Sequence, residues 1–254
     1  TLTQNINNDI MFIEEFIGVG EVAIADHRGS QLSVEELARI AAQSRTAGIL
    51  SNKKGTVSIH VGSGESKLDL LFKVAEQTDI PLTQFYPTHV NRNESLLSEG
   101  IRFCNAGGTI DFTTSTTEYD LANGEIAAAK AVALCIEKGV NPKHLTMSSD
   151  GHASLPIYDK KNELIGFEIG DEYSLYQALV ETISEHGVDI STALQTVTSN
   201  PAEILGLNKG RLIAGGDADL LLVNNADFEI DSVWVNGTLM VSGGKTLTRG
   251  FFSN

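Results

Sequence analysis

Two histidines and two carboxylates in this 254-residue chain have the types and spacing of a metal-assisted hydrolytic site: Glu21, His60, His89 and Asp150. Imidazole nitrogens and carboxylate oxygens are the common protein ligands of zinc and similar divalent ions. Taken singly, each residue has a plainer reading. A histidine that ends a strand is often a hydrogen-bonded structural residue. Glu21 reads equally as a solvated charge, and Asp150, in Ser148-Ser149-Asp150-Gly151, as a turn residue. Their spacing makes the case for chemistry. The gaps of 39, 29 and 61 residues correspond to one, one and two strand–helix units, so all four fall at strand ends. Arg28 and Arg92 follow Glu21 and His89 in the same loops. Guanidinium forks suit bidentate carboxylate recognition and would imply an anionic substrate; the alternative is a pair of loop salt bridges. His27 and His152 lie in these loops as candidates for touching substrate. His144 precedes a strand and reads as surface, and His186 ends a helix where its charge would suit the dipole.

The elements that must position these residues alternate between strand and helix. Phe16–Val19 reads as a buried strand ending near Glu21. Ser33–Ala47 has helical spacing, with Ser33 and Glu36 as a capping box. Strands follow at Thr56–Val61, Gln84–Val90, Thr109–Thr114 and Leu145–Ser149, with helices between them at Lys67–Gln77, Glu94–Cys104 and Gly124–Lys138. Two more helices are expected at Ser174–His186 and Ser191–Val197. This order argues for a parallel sheet, either doubly wound or closed into a (β/α)8 barrel. The Gly-rich phosphate loop of a nucleotide-binding fold is missing, since Gly18-Val19-Gly20 runs into Glu21-Val22-Ala23 without a third glycine. The fold class is therefore α/β, a TIM-type barrel. In such a barrel reactive residues gather at the C-terminal strand ends, which brings the four together. Beyond Pro201 the pattern changes to short strands, and Val235-Asn236-Gly237-Thr238 is a hairpin signal. The expected division is a barrel portion over 1–205 and a small β-sandwich segment over 206–254.

Lysine plus arginine (18) against aspartate plus glutamate (33) gives a net charge of −15, which disfavours nucleic acid. No apolar run approaches the roughly 18–20 residues of a membrane span. The polar Thr1–Asn8 does not read as a secretory signal, and a cytoplasmic protein is expected. Cys104 and Cys135, without zinc-ribbon or redox spacing, read as buried free thiols.

Several stretches resemble the isoaspartyl (β-aspartyl) dipeptidases of the amidohydrolase superfamily: Glu21-Val-Ala-Ile-Ala-Asp-His-Arg28, His60 within TVSIHVG, Pro87-Thr-His-Val-Asn-Arg-Asn93, Gly107-Gly-Thr-Ile-Asp111 and Ser148-Ser-Asp-Gly151. Asn200-Pro-Ala and Gly215-Gly-Asp-Ala-Asp-Leu220 are similar to the wider superfamily. The resemblance implies a binuclear zinc hydrolase acting on dipeptides linked through the aspartate side chain. It implies that His60 and His89 bind one metal. Asp150 would bind the other and take a proton from the attacking water, while Arg28, Arg92 and Ser154 hold the substrate's charged groups.

The chain departs from that family twice. The family bridges its metals with a carboxylated lysine where this chain has Glu21. It also begins with further sandwich strands and three βα units carrying a His-x-His metal pair, so the resemblance covers its C-terminal part, five βα units. The expectation is one metal per chain, a homo-oligomer, and an N-terminal segment that was removed or is supplied by another chain. Two other readings stay open: a non-catalytic binding or assembly remnant, and an amidohydrolase for another anionic or cyclic amide, of dihydroorotase or hydantoinase type.

Overall fold

The computed structural model describes residues 1–27, 29, 32–158 and 163–248. They divide into two compact units, Thr1–Gly206 and Leu207–Asn254. The first unit opens with α1 (Ile6–Phe12), capped by the Asn5 side chain, and continues into β1 (Gly18–Ile24) and α2 (Val34–Ser51). β2 (Thr56–Val61), α3 (Asp69–Gln77), β3 (Phe85–Thr88), α4 (Glu94–Asn105) and β4 (Ile110–Thr113) follow. Next come α5 (Glu118–Ala122), α6 (Ala128–Glu137) and β5 (Leu145–Ser148). A hairpin of β6 (Ser154–Tyr158) and β7 (Leu164–Ile169) precedes α7 (Ser174–Ser184), α8 (Ile190–Gln195) and α9 (Ser199–Leu205).

The capping box of α2 forms as expected: the Glu36 backbone N–H donates to Ser33 Oγ at 3.3 Å, and the Ser33 N–H to Glu36 Oε2 at 2.8 Å. Such a cap contributes about 1 kcal/mol. The strands are parallel, as strand–helix alternation requires, with β1–β2–β3 in one ladder and β4–β5 in another. All four residues of β4 are buried, as expected for a strand covered on both faces. Val57, Ile59, Phe85, Phe112 and Leu145 of the strands pack with Leu37, Leu71, Leu96, Phe103 and Val132 of the surrounding helices. Each fully buried side chain of this size is worth about 1.5–3 kcal/mol.

β1 differs from expectation in extent. It runs on to Ile24, so Glu21 lies within the strand rather than at its end. The reason is a register irregularity between Val19 and Val22 against β2, which takes Glu21 out of the regular ladder and lets pairing resume beyond it. Further elements escape the pattern: α1, in a stretch read as a polar lead, the short helices α5 and α9, and the β6–β7 hairpin that follows Asp150.

No backbone ladder joins β3 to β4 among the described residues. Beside one backbone bond, from the Val90 N–H to the Asp111 carbonyl at 3.2 Å, side chains make the junction. Asp111 on β4 accepts from Thr88 Oγ1 (2.7 Å) and Tyr86 OH (3.2 Å) of β3, and from Thr146 Oγ1 (2.7 Å) and Ser148 Oγ (2.5 Å) of β5. Just beyond, the fully buried Asn91 donates through Nδ2 to the Thr113 and Ile126 carbonyls and accepts the Thr113 N–H at 3.0 Å. Buried polar groups are thus paired across strands that share no backbone ladder.

The second unit is one four-stranded antiparallel sheet in the order β11 (Lys245–Thr246), β10 (Thr238–Ser242), β9 (Ile230–Val235), β8 (Leu220–Val223). Asn236 and Gly237 have φ of 48° and 74°, the left-handed pair that an Asn-Gly hairpin turn needs. A sandwich requires a second sheet, and the described residues of this unit supply one sheet only. Lys209 is held locally: its Nζ lies 3.0 Å from Asp217 and also reaches Asp219.

Candidate active site

Glu21 enters the site from the irregular step in β1, His60 from the penultimate position of β2, and His89 from the residue after β3. Asp150 stands two residues past β5. His89 and Asp150 have φ of 64° and 51°. Left-handed backbone costs a non-glycine residue of order 1–3 kcal/mol and concentrates where function demands a side-chain direction. Asn91 anchors the loop that carries His89.

Glu21, His60 and His89 each bring one ligand atom into a cluster whose members all lie within 4.8 Å of one another. Glu21 Oε2 is 3.2 Å from His60 Nδ1 and 4.0 Å from His89 Nε2. The opposite nitrogen of each ring is also engaged: His60 Nε2 with Asp26 Oδ2 at 3.1 Å, and His89 Nδ1 with Thr113 Oγ1 at 2.5 Å. The Glu21 side chain is 42% exposed and the rings are largely buried. Two imidazoles and a carboxylate converging from three strands, each ring held on its far side, fit a divalent ion such as zinc.

Asp150 joins the cluster electrostatically. Its carboxyl is raised above the usual range by burial first and by the charge of Glu21 second, with His60 and Arg92 pulling it back. Arg92 donates from Nε to the Val61 carbonyl at 2.9 Å. Its charge also opposes the burial-driven rise of Glu125, which sits across from Asn91 and Thr116.

The remaining sequence candidates separate from this group. Arg28 lies outside the described residues. Ser154 is exposed at the start of β6, and no described contact links it to Glu21, His60 or His89. His27 and His152 are 83% and 79% exposed, the latter 3.0 Å from Glu172. His186 lies just past the C-terminus of α7, with Nε2 3.7 Å from Glu181. His144 is partly buried rather than at the surface, and burial lowers its pKa. Cys104 and Cys135 are buried and free, with burial pushing each thiol up to about 12.

Sequence reasoning missed Asp26, Thr113 and Asn91. Asp26 had a usable signal, an acid closing the apolar run Val22-Ala23-Ile24-Ala25, which is the rule that selected Asp150. Thr113 and Asn91 had none, because their partners lie more than twenty residues away.

The model of the amidohydrolase family matches residues 8–240. Among solved structures, the β-aspartyl dipeptidase of Fervidobacterium islandicum AW-1, determined in complex with β-Asp-Leu, superposes with a TM-score of 0.89 at 37% identity, over 99% of this chain and 65% of that one. An adenine deaminase of Methanosphaera stadtmanae is 38% identical over 252 residues, 98% of this chain and 37% of that protein. A dihydroorotase of Clostridium botulinum is 31% identical over 88 residues, 34% of this chain and 22% of that protein. The chain thus spans less than two-thirds of these relatives. The likeness identifies the fold as the TIM-barrel type. With the match covering most of its length, the chain belongs to the amidohydrolase family.

Proposed function

We propose that the protein hydrolyses β-aspartyl dipeptides in a reaction that depends on a divalent metal, zinc being the ion its ligands suit best. The observation that carries this reading is the convergence of Glu21, His60 and His89 beside Asp150 and Arg92. The likeness to a dipeptidase solved with β-Asp-Leu supports the substrate.

Glu21, His60 and His89 would hold one ion, and Asp150 with Glu21 would contribute to a second. A bound divalent ion supplies Lewis-acid activation of the amide carbonyl and of water. Asp150 takes the proton of the attacking water and returns it to the leaving amine; burial and the charge of Glu21 raise its carboxyl above the usual range, which makes it the stronger base. Arg92, with Arg28, grips the two carboxylates of the dipeptide, and Ser154 adds a polar contact. A β-aspartyl amide lies one methylene further from the aspartate α-carbon than an ordinary peptide bond. Gripping both carboxylates therefore presents the β-carbonyl to the site beside Asp150.

A second reading, a deaminase, has a specific observation behind it, the extended match to an adenine deaminase. Adenine has no carboxylate for Arg92 to bind, which favours the dipeptide. The test is an assay of the zinc-loaded protein on β-Asp-Leu, α-Asp-Leu and adenine. Cleavage of β-Asp-Leu alone is expected. Equal cleavage of both dipeptides, or ammonia release from adenine, overturns the proposal.

A further inference from the structure

We infer that Asp26 is the positioning residue that fixes the ring orientation and tautomer of His60, so that Nδ1 and not Nε2 is the nitrogen offered to a metal. The inference rests on the metal-site reading above and adds a residue to it.

Three observations converge. The first is chemical. His60 Nε2 lies 3.1 Å from Asp26 Oδ2, and Nδ1 lies 3.2 Å from Glu21 Oε2. A carboxylate only accepts, so a ring nitrogen bonded to it must carry the proton. The two carboxylates differ in setting. Glu21 is 42% exposed and belongs to the cluster of converging ligand atoms, whereas the Asp26 side chain is 5% exposed and stands outside that cluster. An arriving cation therefore takes the Nδ1 side together with Glu21, and the proton stays on Nε2, donated to Asp26.

The second observation is architectural. Asp26 follows β1, and the backbone clamps that segment against the loop after β2. Gly62 N–H donates to the Ile24 carbonyl at 2.9 Å and Gly64 N–H to the Ala25 carbonyl at 2.7 Å. Neither glycine has room for a side chain. A Cβ on Gly62 would meet Ala25 O at 2.4 Å and Asp26 Cα at 2.6 Å, and one on Gly64 would meet Ala25 O at 2.5 Å. The His60-Val-Gly-Ser-Gly64 stretch thus brings the Asp26 backbone beside the strand that carries its histidine.

The third is the contrast with His89. Its Nδ1 faces Thr113 Oγ1, and a hydroxyl donates or accepts as required, so it orients the ring without dictating the tautomer. Asp26 does both.

The test compares wild type with Asp26→Asn, which keeps the shape, and Asp26→Ala. Zinc affinity is measured by competition with a chromophoric chelator, and the Nε2–H of His60 is followed by ¹⁵N-resolved NMR of the zinc-loaded protein. Far-UV circular dichroism and melting of the metal-free proteins report folding. The expected result is a downfield Nε2–H signal in wild type that is lost or shifted in both variants. Zinc affinity should be about 10-fold weaker for Asn and about 100-fold weaker for Ala, the range for lost outer-shell partners, with metal-free melting of the Asn variant unchanged. Unchanged affinity and an unchanged His60 signal in Asp26→Asn overturn the inference while leaving the metal site intact. Absence of zinc binding in wild type overturns the metal-site reading itself. If Asp26→Ala does not fold, the Asn variant decides.

Discussion

His60 and His89 meet edge to face, their ring centroids 4.4 Å apart at an interplanar angle of 67°, although they belong to different strand–helix units. Bringing two imidazoles this close in a largely buried setting is useful if a cation lies between their nitrogens. His60→Ala and His89→Ala should each reduce bound zinc by at least tenfold, measured by elemental analysis after dialysis. Wild type should retain about one zinc per chain, because the described residues complete one ligand set; two tightly held ions would contradict that count.

Arg92→Met should leave fold and zinc content intact and lower kcat/KM for β-Asp-Leu by roughly 10²-fold, since a buried charge-assisted contact is worth about 1.5–3 kcal/mol or more. The check is steady-state kinetics on the dipeptide and on its C-terminal amide. If wild type and variant are equally indifferent to that carboxylate, Arg92 does not bind it.

Asp150→Asn should reduce kcat for β-Asp-Leu by 10²-fold or more, with KM changed far less, because it removes proton transfer in the transition state. A change confined to KM would reassign Asp150 to substrate binding.

Asp111 supplies a pH prediction. Burial raises its carboxyl above the ordinary value of 3.8, against the four hydroxyls that lower it. The folded state therefore holds the proton more tightly than the unfolded chain. This contribution to stability is fully present below pH 3.8 and is lost as pH rises through the folded-state value. In urea unfolding, the advantage of wild type over Asp111→Asn should shrink across that window. A difference that stays constant from pH 3.5 to 7 would show that Asp111 has no raised value in the folded state.

Gly62→Ala touches no ligand, yet its new Cβ would collide with the Ala25 carbonyl and the Asp26 backbone. It should weaken zinc binding and cost roughly 1–3 kcal/mol of stability by overpacking. Calorimetry and chelator competition on the same sample read both; an unaffected affinity would separate the clamp from the metal site.

Much of this arrangement was legible in the chain because the signals were local or periodic. Ser33 and Glu36 mark a helix start three residues apart, Asn236-Gly237 fixes a turn with two residues, and strand–helix alternation places His60, His89 and Asp150 near strand ends. The missed features depend on distant partners. The step that puts Glu21 inside β1 arises from its register against β2. α1 is seven residues long, too short for a helical period to stand out. Thr113 matters through a histidine on another strand. Ser154 was selected by resemblance alone, since an exposed serine opening a hairpin strand carries no periodic or spacing signal of its own.

The side-chain junction between β3 and β4 has a consequence for mutational tolerance. A backbone ladder is indifferent to which side chains decorate it, so positions along a ladder vary within the limits of size and polarity. A junction made by Tyr86, Thr88, Asp111, Thr146 and Ser148 confines each position to a group that can donate to, or be, the shared acid. In a saturation library these five should behave as one linked set. Any single apolar replacement orphans a buried partner and is purged, while wholesale replacement by well-packed apolar side chains survives.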